Sequence, residues 1–140
     1  MTPSTEDHIA IQNLLYRYAD AADRRDAARM NRCFANAQVR ITGPGIVVDD
    51  GDKMIGMLAE MFDWTMHNVH NFAFEVDKDG GERAHGYTYC VATHVRTENG
   101  VRSKIDMYIR YLDELIKENG EWVFVKRELD VGLHDVAVLA

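Results

Sequence analysis

From residue 70 onward the apolar pattern of this chain has a period of two, and it stays that way almost to the end. "HNFAFEVD" alternates up to a "KDGGE" turn; "RAHGYTYCVATHV" follows and stops near "ENG". "RSKIDMYIRYLDELIKE" runs to "NG", and "EWVFVKRELDVGLHD" completes the set. Alternation broken by glycine-bearing turns marks half-buried strands joined as hairpins. A meander of long antiparallel strands has one apolar face, which something must cover.

The cover comes from the N-terminal half, where the period is helical. Pro3, Ser4 and Thr5 precede "EDHIAIQNLLYRYADAAD". Ser4 or Thr5 can cap this helix, and acids fill its first turn. Ile11, Leu14, Leu15, Tyr18 and Ala22 fall on one face. Asp26 reads as the N-cap of a second helix, "AARMNRCFA", with Met30, Cys33 and Phe34 inward. "QVRIT" is a short strand ended by "GPG", and "IVVDDGD" closes in an acidic turn. "KMIGMLAEMFDWTMH" is a third helix, with Met54, Met57, Leu58, Met61 and Phe62 on its apolar side. Helices first and strands afterwards predict an α+β fold, with helices on one face of a curved sheet. The 140 residues suit a single domain spanning 1–140.

The chain carries 16 basic and 23 acidic residues, a net charge of −7. That field repels phosphate backbones and anionic membranes, so neither nucleic acid nor membrane is an expected partner. No apolar run reaches the ~20 residues of a membrane span. "MTPSTEDHIAIQ" lacks a basic segment followed by an apolar one, which predicts a cytoplasmic protein. Cys33 and Cys90 form no CxxC pair and read as reduced, buried thiols.

Polar residues at core-facing strand positions are the candidates for chemistry. His70 shares parity with Phe72, Phe74 and Val76. His94 shares it with Cys90 and Ala92, and Arg127 with Val123 and Val125. These parities would point two imidazoles and a guanidinium into the space between sheet and helices. Asp23 lies at the edge of the first helix's stripe; on pattern alone it terminates that helix beside Arg24 and Arg25. Arg127 equally fits a surface strand residue paired with Glu114 or Glu128. His67, His70 and His94 invite a zinc reading, but a helix-to-strand break between His67 and His70 argues against a shared face.

"YRYADAADRRDAARM", "HNVHNFAFEVDKDGGERAHGY" and "YLDELIKENGEWVFVKREL" together resemble the SnoaL-like branch of the nuclear transport factor 2-like superfamily, over roughly residues 7–131. That branch is similar to scytalone dehydratase, lindane dehydrochlorinase and bile-acid 7α-dehydratase. The resemblance implies a cone: about three N-terminal helices packed in a strongly curved, mostly antiparallel sheet. It also implies a catalytic pair, Asp23 at the end of the first helix and His70 at the start of the first meander strand. Tyr18, His94, Tyr111 and Arg127 fall on pocket-lining positions. Ala22 and Thr42 depart from the pattern, standing where scytalone dehydratase has tyrosines.

A carboxylate holding one imidazole nitrogen leaves the other free as a base. The expected function is therefore a lyase or isomerase, dehydratase-like, acting on a small hydrophobic and cyclic molecule. No metal or organic cofactor is required for such chemistry. The alternative is a non-catalytic ligand-binding or assembly domain, since one fold serves many functions. The resemblance also implies a homodimer or homotrimer built on the outer sheet face. Ile105, Met107, Ile109 and Tyr111 share one parity, assigned inward, which leaves Asp106, Tyr108 and Arg110 to face solvent or a partner subunit.

Overall fold

The computed structural model describes residues 1–140. Helix α1 spans Thr5–Asp23, and Ser4 caps it by accepting from the Asp7 amide. Ile11, Leu14 and Leu15 are fully buried along its inner face; such side chains contribute roughly 1.5–3 kcal/mol each. Arg25 turns the chain with a left-handed φ of 58°. Asp26 then caps α2, Ala27–Arg32, by accepting from the Arg29 amide, as the sequence predicts. After a short 3-10 turn come two brief strands, β1 (Ile41–Gly43) and β2 (Ile46–Val48), and then α3 (Gly51–Met61). No helix is long and apolar enough to cross a membrane.

Four long strands follow: β3 (Trp64–Val76), β4 (Arg83–Glu98), β5 (Val101–Glu118) and β6 (Glu121–Val138). The six strands form one sheet in the order β2-β1-β6-β5-β4-β3. Every pairing is antiparallel except β1 with β6. Asn99-Gly100 and Asn119-Gly120 turn the last two hairpins, all four residues with positive φ, the conformation tight hairpins favour. Three helices lie against this curled, open sheet, which is the α+β cone the sequence predicts. At Gly86 the β3 backbone comes so close that a Cβ would sit 2.1 Å from the Ala73 carbonyl oxygen.

One boundary differs from the sequence reading, and it matters for the site. The third helix stops at Met61, and Phe62 is already extended (φ −133°, ψ 138°). Strand β3 therefore starts at Trp64, six positions earlier than the period-two pattern suggested. The early stretch pairs regularly, Thr65 opposite His94 and His67 opposite Ala92. Between Val69 and Phe72 the register shifts: three residues of β3 span two of β4. This bulge reverses the parity. Thr65, His67 and Val69 face inward before it; Phe72, Phe74 and Val76 face inward after it.

Candidate active site

Asp23 ends α1 against the inner face of β3. Its Oδ1 lies 2.7 Å from His67 Nδ1 and accepts from the Thr65 hydroxyl at 3.0 Å. Its Oδ2 accepts from the His67 amide at 2.9 Å. The His67 side chain is 7% exposed and that of Asp23 22%. Burial pushes the Asp23 carboxyl up, but hydrogen bonds from His67, the His67 charge and the Thr65 hydroxyl outweigh it, leaving a net shift below the usual carboxylate range.

Asp23 is thus paired with a histidine, but not with His70. His70 is exposed and lines a separate hollow with Tyr89, Tyr108 and Arg110. The expected Asp23–His70 contact is corrected to Asp23–His67. The physical reason is the bulge: counting back in twos from Phe72 reaches His70 only if the strand is regular. His67 had a sequence signal, the inward alternation Thr65–His67–Val69, which an overlong third helix concealed.

The His67 ring lines an apolar cavity of about 200 Å³. Met54, Met57, Leu58 and Phe62 from the α3 segment form one wall; Met107, Ile109 and Tyr111 from β5 form the opposite one. Tyr18 and His94 also line it, as expected. The His94 ring meets His67 edge-on at 5.9 Å and packs on Phe62 at 4.5 Å. Burial first, and then the His67 charge, pull His94 down to about 4, against the Ala92 and Ile105 carbonyls. Its Nδ1 lies 3.1 Å from the Ala92 carbonyl. Burial pushes Tyr18 up to about 12, against the pull of Arg127, and raises Tyr111 well above its ordinary value. Both phenols are therefore protonated donors at neutral pH.

Arg127 does not line the cavity. It is 1% exposed and lies behind the tyrosines, its guanidinium 3.7 Å from the Tyr111 ring centre and 4.3 Å from that of Tyr18. Asp113 holds it in a two-pronged ion pair at 2.7 and 3.0 Å, and Thr88 donates to the same carboxylate at 2.8 Å. The pocket-lining expectation for Arg127 fails for a simple reason: the charge is neutralised and stacked under the cavity wall. A surface position paired with Glu114 or Glu128 is equally ruled out by its burial. Arg127 does face inward, but not by parity with Val123 and Val125: a register shift leaves Val125 unpaired and puts Trp122 and Phe124 on the inner face instead.

The architecture recurs among solved structures. A candidate scytalone dehydratase from Novosphingobium aromaticivorans superposes with a TM-score of 0.77 at 20% identity, covering 92% of this chain and 86% of its own. The type-3 hexachlorocyclohexane dehydrochlorinase of Novosphingobium barchaimii gives 0.76 at 18% identity, covering 96% and 91%. A point-substituted form of Rv3472, a protein of unknown function from Mycobacterium tuberculosis, gives 0.73 at 23%, covering 89% and 71%. At these identities the likeness is one of fold. No curated protein matches the chain. The sequence model of the SnoaL-like domain, however, matches residues 3–128, which include both helical wall and sheet. The chain belongs to the SnoaL-like family, within the nuclear transport factor 2-like superfamily.

Proposed function

We propose that this protein is a cofactor-independent lyase or isomerase in which Asp23 orients His67 as the general base. The observation that carries this reading is the 2.7 Å Asp23–His67 contact on the wall of an apolar cavity. With Nδ1–H donated to the carboxylate, Nε2 keeps its lone pair. A ketone seated with its carbonyl oxygen toward Tyr18 or Tyr111 would present an α-carbon proton to that lone pair. As the C–H bond breaks, negative charge develops on the carbonyl oxygen, where a neutral phenol can donate to it. With a hydroxyl on the β-carbon, the C–O bond then breaks, the double bond forms, and the imidazolium returns its proton to the departing oxygen. Substrate thereby becomes enone and water. Without a leaving group, reprotonation elsewhere gives an isomer.

The cavity also narrows the substrate. No lysine or arginine lines it, and the nearest guanidinium, Arg127, is paired with Asp113. A neutral molecule fits this lining better than a carboxylate or phosphate. The volume, about 200 Å³, is below the ~300–1,000 Å³ of drug-sized sites, which suits a single ring. The reading includes self-association through the outer sheet face, where Tyr87, Tyr89, Tyr108, Leu112 and Leu133 are exposed.

The test uses 3-hydroxycyclohexanone in deuterium oxide, with chloro- and hydroxy-substituted cyclic ketones alongside it. Proton NMR follows α-deuteration, and ultraviolet absorbance follows the enone. Catalysed exchange by the wild-type protein is expected. Absence of exchange and of elimination across the panel would count against the reading and favour a ligand-binding domain.

A further inference from the structure

Thr65 and Arg25 stand behind the Asp23–His67 pair in an arrangement that the proton-transfer reading does not use. Arg25 occupies the turn after α1 at φ 58°, a conformation rarely adopted by a side-chain-bearing residue. Its Nη1 donates to the Ala22 carbonyl and to Thr65 Oγ1, both at 2.7 Å. Thr65, 3% exposed, lies two residues before His67 on the same face of β3.

We propose that Arg25 and Thr65 are positioning residues, a donor relay that fixes the carboxylate of Asp23 for His67. This rests on the dyad reading. A guanidinium can only donate, so it occupies a lone pair of the Thr65 hydroxyl. The one hydroxyl proton is then directed at Asp23 Oδ1, 3.0 Å away. Oδ1 receives Thr65 and the His67 ring, while Oδ2 receives the His67 amide. Three donors fix the carboxylate plane, and all three come from β3, the strand that carries the base.

The relay has an electrostatic consequence as well as a geometric one. A carboxylate already accepting from Thr65 is a weaker base, so the Nδ1 proton stays on the imidazole. The groups facing Asp23 are Arg25 from the turn, Thr65 and His67 from β3, and His94 and Cys90 from β4. Among them only His67 and Thr65 donate to the carboxylate.

Carboxyl-carbon NMR of Asp23 tests this without a substrate. Thr65→Val keeps the shape and removes the donor. Its Asp23 should titrate at higher pH than in the wild type, and Thr65→Ser should restore the wild-type curve. Arg25→Gly removes the guanidinium and relieves the left-handed backbone, so it carries the test if Thr65→Val does not fold. It too should move Asp23 upward. Exchange of 3-hydroxycyclohexanone should fall by up to ~10²-fold in Thr65→Val, as misplacement of a catalytic pair can cost, and recover in Thr65→Ser. Unmoved Asp23 titration in the folded Thr65→Val and Arg25→Gly variants overturns the relay. Unchanged turnover in His67→Ala is a different result: it overturns the dyad and leaves the titration evidence for the relay standing.

Discussion

At the scale of single residues, the site combines two histidines with opposite surroundings. His67 has a carboxylate partner; His94 has burial and another imidazole. The second arrangement makes a stability prediction. His94 titrates near 4 in the folded protein, against ~6.5 in an unfolded chain. Above ~6.5 it is neutral in both states and costs nothing. As pH falls from there toward about 4, the unfolded chain takes up a proton that the folded one declines, so stability is lost and then levels off. The full effect is roughly 3 kcal/mol. Asp23, with its lowered carboxyl, acts in the same direction at more acid pH. His94→Gln should therefore lose less stability than the wild type between pH 7 and pH 4.5 in urea unfolding. An equal loss in both proteins would remove His94 from this account. Asp23 itself was legible only through resemblance, since an acid at the edge of a helical stripe has an ordinary reading as a terminator.

At the scale of elements, periodicity served well until a bulge interrupted it. The α1 stripe of Ile11, Leu14, Leu15, Tyr18 and Ala22 is buried as read. The inward set Met107, Ile109 and Tyr111 on β5 lines the cavity. His70 went wrong because parity propagates only along a regular strand, and a single extra residue between Val69 and Phe72 inverts it. No residue type there announces the bulge. The Arg127–Asp113 pair was hidden for another reason: knowing that a side chain faces inward does not say what it is stacked on. Asp113 sits directly opposite Arg127 in the β5–β6 ladder. Both are almost wholly buried, so cutting one leaves an uncompensated charge. Asp113→Ala should destabilise the protein by about 3–5 kcal/mol, read as a lowered urea midpoint. A change under ~1 kcal/mol, as for an exposed pair, would mean that water reaches the guanidinium.

At the scale of the whole molecule, helices plug a curved sheet from one side and leave its other side with exposed aromatic and aliphatic residues. Tyr108 and Leu133 are opposite one another across β5 and β6 on that face, 40% and 58% exposed. Asp106, also expected outward, is largely covered, held by Thr93 and Lys104. Light scattering at micromolar concentration should show a dimer or trimer, and Tyr108→Glu with Leu133→Glu should reduce it to monomer. A monomeric wild type would contradict the assembly reading. The cone came with the family resemblance, but the order of helices and strands was enough to read helices on one face of a curved sheet, because layer packing leaves few ways to bury a meander's apolar face. Which histidine meets Asp23 was not, because that depends on one strand boundary and one bulge. The most direct measurement of the central claim therefore compares His67→Ala with His70→Ala in the cyclic-ketone exchange and elimination assay. His67→Ala should lose ~10²–10⁴-fold, the usual worth of a general base, while His70→Ala, at an exposed residue that does not line the cavity, should turn over at the wild-type rate. Loss in His70→Ala with retention in His67→Ala would contradict the account.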